Sequence, residues 1–463
     1  MKLFQSNAGC GQRRENASVL VIVLWVAIGL VSLALYFSSS MTYELQAADN
    51  RVSGLESSQA IEGAARYIGY VLNNYATNGA VPDNTQFAAE AVPVGDSHFW
   101  IIGRDPSEMS SSDPYFGLID EASKLNLNNA NTNTIFNLPN MTSDLTDAIL
   151  DWRGTNGGGM YSMDYDGLGY ADKNAPFETV DELRMVYGAD MDLLVGEDVN
   201  DNGVLDSNET NSTGQLQPGL LDYFTVYTRE PNFTVVNGDN VLFTNVSTAS
   251  EQNLQTLFQN ASVNTSYAAR IHSYTNPPGG ATRTFNGILD FCAYCKSIGM
   301  SSDDFAKIYP NITTSTSTYI RGRVNINTAS TTVLTALFMG VGVNQGIDQS
   351  TASSAADTIL NYRQQNQGSL NNSVAWIVDA LGASSPVITA LRRGDYITAR
   401  TYQFTADIAA VGPYGRGYRR VKFIFDTSDG TPKIIYRHDL SQLGWALGDK
   451  VRQTWVGNTS NQQ

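Results

Sequence analysis

The sequence predicts an α+β protein. A long N-terminal helix, membrane-spanning in its first half, packs on a small antiparallel sheet. A large, mostly helical domain of two repeated units is inserted in that sheet. Three observations predict this. An uncharged stretch follows Arg13, Arg14 and Glu15 and ends only at Glu44. A segment built around N-x-N occurs at 124–136 and again at 323–335. Strand-like alternation of apolar and polar residues fills 401–440.

The chain has 463 residues and a net charge of −16. That balance opposes a nucleic-acid role, which needs a basic face against phosphate. No Walker loop, G-x-S-x-G or H-E-x-x-H occurs, and the three histidines, His98, His272 and His438, lie far apart. No enzyme is expected.

Residues 17–37 are long enough to cross a hydrocarbon core as a helix. A secretory signal would end in a cleavage site before polar sequence. Here the helical spacing continues instead, through Leu45, Ala48, Val52, Leu55, Ala60, Ile61, Ala64, Ala65, Ile68, Val71 and Leu72. Lys2, Arg13 and Arg14 before the stretch, with Glu44 and Asp49 after it, place the N-terminus in the cytoplasm and the bulk outside. Strands are expected at "HFWIIGR" (98–104) and "YFGLIDEAS" (115–123).

Next comes the repeat. "KLNLNNANTNTIF" (124–136) is echoed by "RVNINTASTTVLT" (323–335), "DAILDWR" (147–153) by "DTILNYR" (357–363), and "FETVDELRMVYG" (177–188) loosely by "NNSVAWIVDALG" (371–382). Three matches in one order indicate a duplicated helical unit. Asn or Thr caps the first helix of each unit, and Ile149/Leu150 and Ile359/Leu360 supply core faces.

"DVNDNGVLDSNE" (198–209) fits the twelve-residue calcium loop throughout. Asp198, Asn200 and Asn202 offer side-chain oxygens, Gly203 permits the turn, and Val204 gives its carbonyl. Asp206 adds a ligand directly or through water, and Glu209 closes the site. Flanking helices are not evident, so the loop is expected to staple a surface turn, with a metal-free Asn/Asp turn as the alternative. Asp164, Asp166 and Asp172 form a second acidic group, read as a metal site or simply an acidic turn.

An Asn/Thr/Ser-rich segment, 230–320, separates the two units, with short alternating runs such as "NVLFTNV" (240–246). It holds Cys292 and Cys295. Zinc needs four ligands and no second pair exists. A disulfide in an oxidising compartment is the first expectation for this pair, and a reduced, buried pair the second. Strands at 401–412, 417–426 and 432–440 close the fold.

The basic leader, the apolar helix and its amphipathic continuation resemble the N-terminus of type IV pilins and type II secretion pseudopilins. In that family a prepilin peptidase cuts just before the apolar helix. The matching junction is Ala17–Ser18, with alanine in place of the usual glycine. The fifth residue after it is Ile22, where most members carry glutamate. That absence, "VLW" at 23–25, and "KNAPF" (173–177), "NINTA" (325–329) and "ILDWR" (149–153) in one chain are similar to the minor pseudopilin K (general secretion pathway protein K) family. The repeated units resemble SAM-like or helix-hairpin-helix folds, whose glycine hairpins meet DNA phosphate; only "FMGVGVNQG" (338–346) keeps the glycines.

The resemblance implies a leader at 1–17, a transmembrane helix at 18–38, and a pilin-like start at 39–119. The first unit with its calcium loop then spans 120–229 and the second unit 321–398; the insert 230–320 between them departs from the family's pattern, and the resemblance implies nothing about it. Closing strands at 399–440 and a tail at 441–463 complete the chain. It implies a single-pass inner-membrane protein, N-terminus cytoplasmic and bulk periplasmic, at the tip of a pseudopilus. Calcium would be bound, and no nucleic acid. Partners would be the minor pseudopilins I and J, other pseudopilins through the N-terminal helix, the prepilin peptidase, and the secretin or cargo. The alternative is a membrane-anchored helix-hairpin-helix protein of DNA uptake or of a type IV pilus.

Overall fold

One helix, Arg13–Tyr75, organises the computed structural model. The structure describes residues 13–108, 113–155, 159–206, 209, 216–236, 239–366, 370 and 373–455, with side chains from residue 19 onward. Most of the expected leader lies outside the described residues. At 63 residues the helix is about 95 Å long. It has two halves. From Val19 to Val52 every residue is exposed, and no charge occurs before Glu44. Beyond that, Ala60, Ile61, Ala64, Ala65, Ile68, Val71 and Leu72 form one buried face. Leu45, Ala48, Val52 and Leu55, which continue the same spacing toward the N-terminus, are exposed.

The buried face packs on a six-stranded antiparallel sheet. Its strands are β1 (Val92–Val94), β2 (Ser97–Ile102), β3 (Ile119–Asp120), β4 (Gln403–Val411), β5 (Arg419–Asp426) and β6 (Lys433–Asp439). The order is β1-β2-β4-β5-β6, and β3 continues the line of β2 along β4. Strand periodicity divides the residues. Phe99, Ile101, Phe404, Ala406, Ile408, Val421 and Phe423 join the helix core. Trp100, Ile102, Ala409 and Val411 pack instead with Ala446, Leu447 and Val451. The expected C-terminal tail is therefore part of the structure: its helix, Gly448–Trp455, covers one end of the sheet's other face.

Everything between β3 and β4 is one large helical insertion sharing a continuous core. In the first unit Asn131 and Thr142 cap the helices Thr132–Phe136 and Ser143–Trp152. In the second, Ser330 and Asp348 cap Thr331–Gly342 and Gln349–Gln365. Two segments that read as strands in the sequence, "FTVYT" (224–228) and "VNINTA" (324–329), stay outside the main sheet. They form two-residue parallel bridges within the units, Phe224–Thr225 with Leu125–Asn126 and Val324–Asn325 with Ile397–Thr398.

The segment 230–320 is mainly helical, with helices Glu251–Asn260, Ser266–Thr275, Ile288–Ser297 and Ser302–Ile308. The expected strands shrink to a hairpin, Phe233–Val236 with Asp239–Leu242, and the bridge residues Thr244–Asn245. The expected disulfide gives way to the second reading. Cys292 and Cys295 are buried free thiols one turn apart on the continuous helix Ile288–Ser297. Burial pushes the Cys292 thiol up to about 12 and that of Cys295 well above its ordinary value, so both stay neutral.

Candidate metal centre

The loop Asp198–Asp206 with Glu209 folds as its spacing requires; Ser207 and Asn208 lie outside the described residues. Gly203 has φ +82°, the left-handed turn that glycine adopts without strain. The Asp198 carboxylate accepts the backbone N–H groups of Asn202 at 2.8 Å and Gly203 at 2.7 Å. Glu209 accepts from Val199 at 2.9 Å and Asp206 at 3.0 Å, closing the loop on itself. The amides of Asn200 and Asn202 both donate to Asp206 Oδ2, at 2.5 and 2.9 Å. Asp198, Asn200, Asn202 and Glu209 are all buried.

Residues far off in sequence fasten this loop to the sheet. Arg420 on β5 pairs with Asp407 on β4 and is fully buried. Its guanidinium also donates to the carbonyls of Asn200 and, at 2.6 Å, Asp201. Lys422 reaches the Asp201 carboxylate at 2.5 Å. Arg104, just past β2, pairs with Asp201 and, at 3.1 Å, with Asp222. The Asn200 amide also meets the Trp445 carbonyl at 3.3 Å. Local spacing gives no hint of Arg104, Asp222, Arg420 or Lys422.

Two acidic sets meet at Asp198. Oxygens of Asp198, Asp201 and Asp222 lie within 4.8 Å of one another. That set already has its cation, because the Arg104 guanidinium stands among the three. Burial alone would raise the Asp201 carboxyl, but Lys422, Arg104 and Arg420 overcome it and hold it far below the usual range. The loop set differs. Burial pushes Asp198 up to about 7 despite Arg104. Asn200 Oδ1 is buried and accepts no hydrogen bond. A desolvated carboxylate and an orphaned buried oxygen at loop positions 1 and 3 are what a hard cation would satisfy. Asp198, Asn200, Asn202, Val204, Asp206 and Glu209 therefore fit calcium.

The second acidic group is not gathered in this way. Asp164 and Asp166 are exposed and two apart on the short helix Ser162–Leu168, a spacing that does not put them on one face. Asp172 accepts from the Gly159 N–H at 3.2 Å. The buried Asp151 holds this region by accepting from Met160 and Tyr161, both at 3.0 Å. The hairpin glycines serve packing. A Cβ at Gly340 would stand 2.1 Å from Thr134 Oγ1, and one at Gly342 would stand 2.4 Å from Ile347.

No family model and no curated protein sequence matches the chain. Among solved structures it is similar to a chain of the GspK–GspI–GspJ complex from the type 2 secretion system of enterotoxigenic Escherichia coli. The identity is 10%, the TM-score 0.39, and the overlap covers 86% of this chain and 99% of that one. An overlap this loose does not by itself define a shared fold.

Proposed function

We propose that the protein is an assembly subunit of the minor pseudopilin K type. It is held in the inner membrane by its N-terminal helix, with the head in the periplasm. The observation that carries this reading is the division of the long helix. Its exposed first half, Val19–Val52, apolar as far as Phe37, is free to pack in a membrane and among like helices, while its second half is fixed to the sheet. The head carries a large helical insertion between β3 and β4, which makes it bulky. Ile22 offers no carboxylate to a neighbour's terminal amine. Both features suit the first or last position of a short pseudopilus, beside the I and J minor pseudopilins. From there the head could meet secretin or cargo. Calcium would act structurally, holding the loop against the sheet. The DNA-uptake alternative loses its main support, because the hairpin glycines are buried against Thr134 and Ile347.

The test is the N-terminal residue of the mature protein, read by mass spectrometry of membranes with and without the prepilin peptidase. A peptidase-dependent start at Ser18 is expected. A chain beginning at Met1 in both would make the helix a permanent anchor and sink the pseudopilus reading.

A further inference from the structure

The segment between the two helical units is built on their plan. "TNVSTASEQNLQTLF" (244–258) aligns without gaps on "VNINTASTTVLTALF" (324–338), sharing the Asn, the Thr-Ala-Ser and the helix Leu, Leu and Phe. The geometry repeats as well. In each unit the asparagine's Oδ1 accepts the N–H two residues on: Asn126 from Asn128 at 2.9 Å, Asn245 from Ser247 at 3.0 Å, and Asn325 from Asn327 at 3.0 Å. Its carbonyl takes the N–H of an alanine four residues on, at 2.8 Å for Ala130 and 2.9 Å for Ala249 and Ala329. Asn131, Ser250 and Ser330 then cap the first helix. One left-handed residue breaks each hairpin, Asn140, Ser262 or Gly346. Each unit closes by pairing its last strand parallel to its first, and here Thr244–Asn245 pairs with Ile312–Thr313.

Finer contacts agree. The Phe177 N–H donates to Asn128 Oδ1 at 2.8 Å, and the Phe285 N–H to Ser247 Oγ at 3.0 Å. Glu182 and Asp290 each accept the N–H four residues before, from Glu178 at 2.8 Å and Asn286 at 3.2 Å.

The segment leaves and returns at one place. Arg229–Pro231 pairs antiparallel with Tyr319–Arg321, which sets Pro231 opposite Tyr319. This ribbon meets the β5–β6 turn, through Arg229–Asp426 at 2.6 Å and Tyr319–Asp429 at 2.7 Å. That end of the sheet lies beside the end of the long helix, where Gly79 meets Arg400 and Tyr402. The other end of β4 runs to Gly412, against Ser53, where the helix departs toward the membrane.

We infer that residues 232–318 are a third copy of the helical unit, inserted through this ribbon, and that it caps the array at the membrane-distal end. The placement, though not the copy, rests on reading the first half of the helix as membrane-spanning. The capping role follows from one face. The first two units pair through their first helices, where Val333, Ala336 and Gly340 are buried. The equivalent residues of the third unit, Asn253, Thr256 and Asn260, are exposed. A terminal repeat needs such a polar outer face, because no neighbour covers it. On its other side the unit holds the second through Lys296–Asp379 and Arg392–Asp290.

The test is hydrogen exchange on the full-length protein in detergent, comparing Asn126→Ala, Asn245→Ala and Asn325→Ala. Each is expected to raise exchange at least tenfold in its own unit, N245A within 244–313. No change with N245A, when the other two open their units, would overturn the copy. As a second variant, 232–318 is replaced by Asn-Gly. A folded product that keeps its calcium-dependent melting shift supports the insertion. Should it not fold, the exchange pattern decides. Exchange confined to 244–313 supports the inference, and exchange spread into β4 and β5 overturns it. Neither readout depends on where the mature chain begins.

Discussion

Asp120 shows how much of this molecule rests on single side chains. It ends β3, where the helical insertion begins. Its carboxylate accepts from Ala122 and Asn325 at 2.7 Å and from Thr328 at 2.5 Å, so it joins the sheet to the second unit. Burial raises its carboxyl to about 6, against the opposing hydrogen bonds of Thr328, Thr401, Ala122 and Asn325. The folded chain thus keeps this proton up to about pH 6, while the unfolded chain releases it near 3.8. Between those values the folded state binds more protons, so this contribution to stability falls as pH rises. Two pH units correspond to about 3 kcal/mol. Asp120→Asn is expected to gain on the wild type by up to that amount from pH 4 to pH 7, measured by denaturant midpoints. A constant difference across that range would mean that the carboxylate is ionised throughout.

At the scale of elements, the turn at Asp198–Asp206 was legible because the calcium-loop template lies within one short stretch and fixes the spacing of its residues. What holds it was not legible. Arg104 and Arg420 reach it from distant parts of the chain, and only the folded sheet brings them there. The third unit left a fainter trace. "TNVSTAS" was readable as an echo of "INTAS", but the arginine that marks the other two units, Arg153 and Arg363, is Thr275 in the helix Ser266–Thr275. Cys292 and Cys295 misled because spacing alone does not distinguish a disulfide from two core thiols one helical turn apart. Chelation is expected to lower the melting temperature of the full-length protein in detergent, since a ligand present at a hundred times its Kd contributes about 2.7 kcal/mol. Glu209→Ala should melt near the chelated wild type and respond little to added calcium. Equal calcium responses in the variant and the wild type would count against this loop as the site.

For the molecule as a whole, the long helix, the strands near the C-terminus and two of the three helical units could be read from periodicity and repetition, because each signal is local. The depth of the helical core and the docking of the C-terminal helix on Trp100 could not, since they depend on contacts between distant segments. The exposed run from Met41 to Val52 lies between the apolar start of the helix and the sheet, and it serves none of the intramolecular cores. Leu45→Asp is therefore expected to leave the melting temperature unchanged while abolishing co-purification with pseudopilin partners. A drop in melting temperature of several degrees would show that this face is used within the chain.

The ribbon Arg229–Pro231/Tyr319–Arg321 fixes what can be attached to this protein as well as what already is. Because its two strands stand side by side, the chain leaves and re-enters the scaffold at neighbouring points, whatever the length of what lies between them. Exchange of the cargo at this port would have to remake only the face shared with the second unit, around Asp379 and Arg392. An engineer could use the same port, replacing 232–318 with a foreign domain whose termini lie close together and displaying it at the end of the molecule far from the apolar start of the long helix.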